Sequence, residues 1–179
     1  QKRHDDTLSL AAYRETGGVQ GAVARLAEGT YGRIPDERKP LVQAIMLRLV
    51  AEDEAESPVR RRAPLTEFDL ERSAAAADVL AALAESRLVS VGEGSVEVAH
   101  EALLREWPRL REWIEEDAEG RRLRRHITEA ATEWDAAGRD QGELYRGARL
   151  AAALEWTADH AHDLNELERE FVTESRERS

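Results

Sequence analysis

The stretch VEVAHEALLREW, residues 96–107, begins with one apolar periodicity and continues with another. Val96 and Val98 alternate with Glu97, a pattern that is typical of a half-buried strand. After His100 the large apolar residues recur at helical spacing, which indicates a helix: Leu103, Leu104, Trp107 and Leu110. The sequence therefore predicts that His100 lies where a strand passes into a helix.

A histidine at such a junction has two possible roles. The first backbone N–H groups of a helix lack partners within the helix, and the helix dipole favours an anion there. His100 could therefore bind a phosphate group together with those amides. Alternatively, His100 only caps the helix or packs against it. The sequence alone leaves both roles open.

The residues before this stretch predict a hairpin and, around it, a small domain. Leu88–Val91 has the character of a strand, residues 92–95 form a turn, and residues 96–98 return as the second strand. Further upstream the sequence predicts a helix to about Ala51, an acidic loop over residues 52–58, an edge strand over 59–65 and a helix over 73–83. This order is that of a winged-helix domain, which we place at residues 33–117.

The remainder of the chain, residues 118–179, has helical composition and spacing throughout. Trp107-Pro108 is expected to bend or restart a helix, because proline cannot donate the interior hydrogen bond. Gly138 suits a helix C-terminus, and Asn165 followed by Glu168 resembles the capping box of a last helix. The predicted fold class is therefore mainly α: a winged-helix domain with one small β-hairpin, followed by a helical extension of about three helices.

Composition narrows the possible functions. The chain has 179 residues and no cysteine, which excludes disulfides, cysteine-ligated zinc and thiol catalysis and suits the cytoplasm. A net charge of −11 argues against general binding to nucleic acid or to an anionic membrane. No run approaches the roughly 20 apolar residues of a membrane span. We therefore expect a cytoplasmic protein without nucleic-acid or membrane partners.

Several catalytic motifs are absent from the sequence. There is no G-x-x-x-x-G-K-[ST] phosphate loop, so the chain cannot hydrolyse ATP by the usual route. His100-Glu101 does not extend to a zinc H-E-x-x-H motif, because position 104 is leucine. His160 and His162 point apart on a helix and make a poor metal site. We therefore predict no catalytic residue and no metal ligand, and expect that this segment is not itself an enzyme.

Gly17 and Gly18 precede the first apolar helical pattern of the chain. Glycines before a helix permit a tight turn and a close approach of the backbone to a neighbour or a ligand. An ordinary turn is the alternative interpretation.

Ala99-His100-Glu101 and the residues after it resemble the MHD segment that closes the winged-helix domain of STAND NTPases. These are nucleotide-switched signalling ATPases that include the NB-ARC proteins. The run His100–Trp113 is most similar to the novel STAND NTPases of bacteria, and the segments 138–140 and 144–150 also resemble them. Ala99 stands where the family usually has methionine, and Glu101 where it usually has aspartate. The resemblance covers nearly the whole chain.

The resemblance implies which residues face the nucleotide. His100 would contact the phosphate side of bound ADP, and the backbone of Gly17 and Gly18 would lie near the adenine. Residues 1–32 would be the end of a helical lid, and residues 118–179 a helical extension. By this resemblance, the segment holds no cofactor of its own, and ADP or ATP with Mg would bind in the parent protein. Its partners in the same chain would be an upstream ATPase domain and a downstream sensor or effector domain.

The resemblance also implies a switch. With ADP bound, the winged helix would fold against the ATPase domain, and exchange for ATP would release it for homo-oligomerisation and signalling. Two alternatives are a DNA-binding winged-helix regulator and a nucleotide-independent protein-interaction adaptor. Against DNA binding, the helix over residues 73–83 offers almost no hydrogen-bond donors where base contacts would lie.

Overall fold

The computed structural model describes residues 18–179, so Gly17 and the segment 7–13, which the sequence left between helix and strand, lie outside the described residues. The chain divides into two compact units. The first holds the described residues up to Thr66 together with Leu70–Glu116. The second holds Glu67–Asp69 and Asp117–Ser179.

The first unit contains five of the described α-helices. They are α1 (Gly18–Arg33), α2 (Lys39–Arg48), α3 (Ala74–Glu85), α4 (Ala102–Glu106) and α5 (Pro108–Glu116). Short 3-10 turns precede α2 and follow the third strand, at Asp36–Arg38 and Leu65–Phe68. Ser73 caps α3 by accepting from the Ala76 amide at 3.1 Å, which fixes the start of the helix where the sequence placed it.

Two small antiparallel sheets accompany these helices. One pairs β1 (Val50–Glu52) with β2 (Pro58–Arg60). The other has the order β3-β5-β4 and is built from β3 (Ala63–Pro64), β4 (Val89–Gly92) and β5 (Ser95–Val98). The described part of the chain is thus mainly helical, which confirms the mainly α part of the predicted fold class.

The β4–β5 hairpin lies where the sequence predicted it. Val91 pairs with Val96, and Gly92 pairs with Ser95 around a two-residue turn. Both turn residues have positive φ, 50° at Glu93 and 76° at Gly94. A type I′ turn requires positive φ at both central positions, and its twist matches that of the flanking strands. The turn residues therefore fix how β5 pairs with β4, and β5 leads directly to His100.

The prediction of a single hairpin was wrong, because β1 and β2 form a second one. Helix α2 ends at Arg48 rather than at Ala51, and the predicted acidic loop is the turn between the two strands. The Asp53 carboxylate closes that turn by accepting from the amides of Ala55 and Ser57 at 2.9 and 2.8 Å. Three-residue strands are too short to show a clear period of two, so the apolar run before Glu52 resembled a continuing helix.

The predicted edge strand over residues 59–65 is also divided. Its first part belongs to β2 and its last part to β3, which are in different sheets. Between them, the Arg61 amide donates to the Leu49 carbonyl at 2.8 Å. The chain therefore changes sheet within the basic segment that the sequence treated as one strand.

The core of the first unit is apolar and draws on both its helices and its strands. The fully buried side chains at its centre are Val42, Met46, Leu49, Leu83, Leu88, Val98, Leu103, Leu104, Trp107 and Leu110. Burial of each such side chain stabilises the fold by about 1.5–3 kcal/mol relative to exposure. The apolar residues that follow His100 in the sequence are thus the ones that attach α4 to this core.

The second unit contains three α-helices, as the periodicity predicts. They are α6 (Ala118–Ala136), α7 (Gly147–His160) and α8 (Glu166–Glu177). Gly138, at φ 70°, follows the end of α6, and the next amide, of Arg139, donates to the Trp134 carbonyl at 2.8 Å. This is the glycine-terminated helix end expected from the sequence.

The last helix begins with the predicted capping box. The Asn165 side chain accepts from the Glu168 amide, and the Glu168 carboxylate accepts from the Asn165 amide, both at 2.9 Å. Glu168 is almost fully buried, and one of its oxygens lies 2.6 Å from the Thr128 hydroxyl on α6. Around this polar group the unit packs Ile127, Ala131, Trp134, Leu144, Ala153, Leu164, Phe171 and Val172.

Candidate functional site

His100 lies between β5, which ends at Val98, and α4, which begins at Ala102. The amide of Ala99 donates to the Leu88 carbonyl at 2.9 Å, so the chain stays bound to the hairpin until the residue before the histidine. The His100 carbonyl then accepts from the Leu103 amide at 3.0 Å. His100 therefore occupies the predicted strand-to-helix junction and is held there by backbone hydrogen bonds on both sides.

The imidazole of His100 is exposed. Glu101 occupies the N-cap position of α4, and no side-chain capping hydrogen bond is formed there. The structure thus does not support the interpretation of His100 as a helix cap or as a packing residue. The amides of Leu103 and Leu104 already donate to the carbonyls of His100 and Glu101, so these two amides are not available to a phosphate at this junction.

Charged side chains surround the junction. An Arg60 Nη1 atom on β2 lies 3.5 Å from the Val98 carbonyl oxygen, two residues before His100. Glu101 forms a loose ion pair with Arg105 at 3.8 Å, one turn along α4. The nearest carboxylate in sequence is therefore partly compensated by a cation of its own helix, which lessens its repulsion of an anion near His100.

Gly18 is the first residue of α1 and has a φ of 64°. Side chains other than glycine rarely adopt this left-handed conformation, so the turn before α1 needs glycine at this position. Gly17, the other predicted nucleotide-side glycine, lies outside the described residues. Gly18 begins α1 and His100 lies two residues before α4, and these two helices pack against each other.

A polar cluster that the sequence did not reveal fastens α1 to α4 and α5. The Glu28 carboxylate on α1 accepts from the indole N–H of Trp107 at 2.8 Å. It also accepts hydrogen bonds from the Nε and Nη2 atoms of the Arg109 guanidinium, with Nε 3.1 Å from Oε2. The hydrogen bond from Arg109 is the main reason that the pKa of Glu28 is lowered. Glu28 is thus ionised at neutral pH and holds both partners.

Aromatic rings complete this cluster. Tyr31 packs edge-on against Trp107 and Trp113, with centroid separations of 6.4 and 5.7 Å, and the Arg109 guanidinium lies 4.2 Å from the Tyr31 ring centroid. We call Glu28, Tyr31, Trp107, Arg109 and Trp113 the α1 clamp. Glu28 and Trp107 are 79 positions apart in the sequence, so no local sequence pattern could have identified the α1 clamp.

A family model described as Novel STAND NTPase 1 matches residues 1–142 of the chain. The chain belongs to the novel STAND NTPase 1 family. The match includes the described part of the first unit and α6, whereas α7 and α8 of this STAND protein lie beyond it. Comparison with curated proteins and with solved structures gave no match.

The described residues of this STAND protein also bear on metal sites and membrane spans. Residues 18–179 contain no group of three or more His, Cys, Asp or Glu side chains that could hold a metal ion. His160 stacks on Trp156 at 4.7 Å between centroids, and its Nδ1 lies 2.9 Å from the Trp156 carbonyl oxygen. Within the same residues, no helix has both the length and the apolar character that crossing a membrane requires.

Proposed function

We propose that this chain is the regulatory winged-helix and helical segment of a STAND-type ATPase signalling switch. In this proposal the winged-helix domain spans residues 33–117, the end of a helical lid precedes it, and a helical extension follows. The segment packs on an upstream ATPase domain in the cytoplasm while ADP is bound. Exchange of ADP for ATP releases it, allows the protein to oligomerise and passes the signal to a downstream domain.

The observation that carries the proposal is the exposed imidazole of His100 at a rigid junction. Hydrogen bonds to Leu88 and Leu103 fix the backbone on both sides, while the side chain faces away from the core. A fixed, exposed imidazole can hydrogen-bond a phosphate oxygen of ADP held by another domain. Membership of the STAND family supports this role, because Ala99-His100-Glu101 resembles the MHD segment of STAND NTPases.

The topology of the first unit supports the winged-helix assignment. A three-stranded sheet of order β3-β5-β4 follows α2 and includes the hairpin that would be the wing. Helix α3 leads directly into β4, since the Leu88 amide donates to the Leu83 carbonyl. The β1–β2 hairpin is an addition to that plan between α2 and β3.

The nucleotide would be held mainly by residues outside this segment. The sequence has no phosphate loop, so binding of ADP or ATP with Mg and the hydrolysis of ATP belong to the upstream domain. This chain would contribute the imidazole of His100 and the backbone of Gly17 and Gly18. Its role is therefore to report which nucleotide is bound, with no catalytic residue of its own.

The surface of α3 argues against the alternative of DNA binding. In a DNA-binding winged helix this second long helix would read the major groove with hydrogen-bond donors. The exposed positions of α3 are Ala74, Asp78, Ala81 and Glu85, and Asp78 already accepts from Arg38 at 2.9 Å. An acidic helix of this kind repels the phosphate backbone.

The proposal is tested by the nucleotide content of the full-length protein that carries this chain. We expect the purified protein to contain ADP that survives dialysis, and to have a phosphate loop upstream of Gln1. Nucleotide released by denaturation can be identified and quantified by chromatography. A nucleotide-free protein without a phosphate loop would overturn the proposal and favour a simple interaction adaptor.

A further inference from the structure

The α1 clamp crosses the boundary at which the sequence separates the lid from the winged helix. That boundary falls at Arg33, the last residue of α1, so the rest of α1 would belong to the lid. In the structure, however, Glu28 and Tyr31 of α1 bind Trp107 and Arg109 in the segment that follows His100. Both potential nucleotide contacts, at Gly18 and at His100, are therefore carried by one packed assembly.

Burial makes this attachment difficult to undo. Trp107 is fully buried and its indole N–H has Glu28 as its acceptor. A buried donor that loses its acceptor carries the whole penalty of desolvation. Ala27 and Thr30 of α1 are also buried. Helix α1 cannot leave the first unit without exposing these groups together.

The connection between α1 and α2 is short and held by hydrogen bonds, so it is poorly suited to act as a hinge. Ile34 is buried, and its amide donates to the Tyr31 carbonyl at 3.2 Å. Pro35 follows with a fixed backbone, and its carbonyl accepts from the Arg38 amide at 2.9 Å.

We propose that Glu28 is a positioning residue that locks α1 to α4 and α5, so that Gly18 and His100 move as one rigid body. The joint of the switch then does not lie between α1 and α2. This inference rests on the proposed function, because it describes how that switch moves. Its consequence is that the adenine-side turn and the phosphate-side histidine leave or approach the ATPase domain together.

The test is a set of distance measurements between spin labels in the full-length protein, with ADP and with a non-hydrolysable ATP analogue. This chain has no cysteine, so labels can be placed at single introduced cysteines once any outside it are replaced. Ala22→Cys with Glu115→Cys spans the clamp, and Glu85→Cys with Glu115→Cys is the reference pair within the unit. All three positions are exposed. A third pair joins Glu115→Cys to the ATPase domain.

We expect the distance between Glu115→Cys and the ATPase domain to differ between the ADP and the ATP-analogue states. The distance across the clamp should keep a narrow distribution in both states, as should the distance within the reference pair. A change across the clamp, with the reference pair constant, would overturn the inference. If the distance between Glu115→Cys and the ATPase domain does not change, the proposed switch is wrong, and the inference about how it moves is wrong with it. The two failures are thereby distinguished.

Substitution of Glu28 tests the lock separately from the switch. In the ADP state, Glu28→Ala should replace the narrow clamp distribution with a broad one, and Glu28→Gln should restore most of it, since an amide oxygen still accepts from the Trp107 indole. Asp78→Asn is the matched control, because it weakens the exposed Arg38 ion pair of the same unit. An unchanged narrow distribution in Glu28→Ala would refute the positioning role.

Discussion

Replacement of Glu28 by alanine should destabilise the first unit by about 2 kcal/mol. The larger contribution is the loss of the acceptor for the buried Trp107 indole N–H, which costs about 1–3 kcal/mol. The ion pair with Arg109 contributes less. Glu28 and Arg109 are 49% and 37% exposed, and solvent screening limits such a pair to about 0–1 kcal/mol.

Hydrogen exchange measured by mass spectrometry provides the assay, because it resolves the two units. Peptides that span Leu103–Ile114 report on opening of the first unit, and peptides from α8 report on the second. Glu28→Ala should increase exchange in the first set and leave the second unchanged. Glu28→Gln should cost about 1 kcal/mol less, since its amide oxygen retains the indole bond. Glu115→Ala, on the exposed surface of α5, is the control.

The stability difference between wild type and the Glu28 variants should depend on pH with a definite sign. The pKa of Glu28 is lowered from its ordinary value of 4.5, chiefly by the hydrogen bond from Arg109. The carboxylate therefore contributes its full stabilisation above 4.5 and loses it as the pH falls through the lowered pKa. The advantage of wild type over Glu28→Gln should be present at neutral pH and shrink in acid. Glu28→Ala within about 0.5 kcal/mol of wild type at neutral pH would refute the reasoning.

Three further outcomes follow from other parts of the structure. Glu168→Ala should destabilise the second unit by about 3 kcal/mol in urea unfolding, because the buried capping box loses its acceptor; the exposed Glu177→Ala should not. Gly94→Ala should cost about 1–2 kcal/mol through its φ of 76°, whereas Gly92→Ala should cost less than half of that in the same assay. The isolated chain should show no nanomolar, salt-sensitive binding to duplex DNA in a fluorescence anisotropy titration.

Local patterns were sufficient to predict much of the fold. Gly92–Ser95 contains the turn chemistry of a hairpin, Pro108 ends α4 because it cannot donate the interior hydrogen bond, and Asn165 with Glu168 encodes a reciprocal cap. Each depends on residues a few positions apart. These features were found in the structure at, or within one residue of, their predicted places.

Features that depend on distant residues were not predictable in this way. The β1–β2 hairpin needs the pairing of Val50 with Arg60, and its strands are too short to carry a periodic signal. The position of His100 followed from periodicity, but its exposure did not, because exposure depends on how the surrounding elements pack. No local sequence pattern distinguished Glu28, since its two hydrogen-bond partners, Trp107 and Arg109, lie 79 and 81 positions further along the chain.

The central claim, that His100 senses ADP, is tested most directly by the rate of ADP release from the full-length protein. A hydrogen bond to a charged group is worth about 1.5–3 kcal/mol, and every 1.4 kcal/mol is tenfold. If the imidazole contacts ADP only in the closed state, His100→Ala shifts the closed-to-open equilibrium by that whole energy. We expect His100→Ala to release ADP about 10- to 100-fold faster than wild type, with its fold intact. The control His126→Ala, which removes another exposed imidazole, should release ADP at the wild-type rate. Equal release rates from equally folded wild-type and His100→Ala proteins would contradict the sensor role.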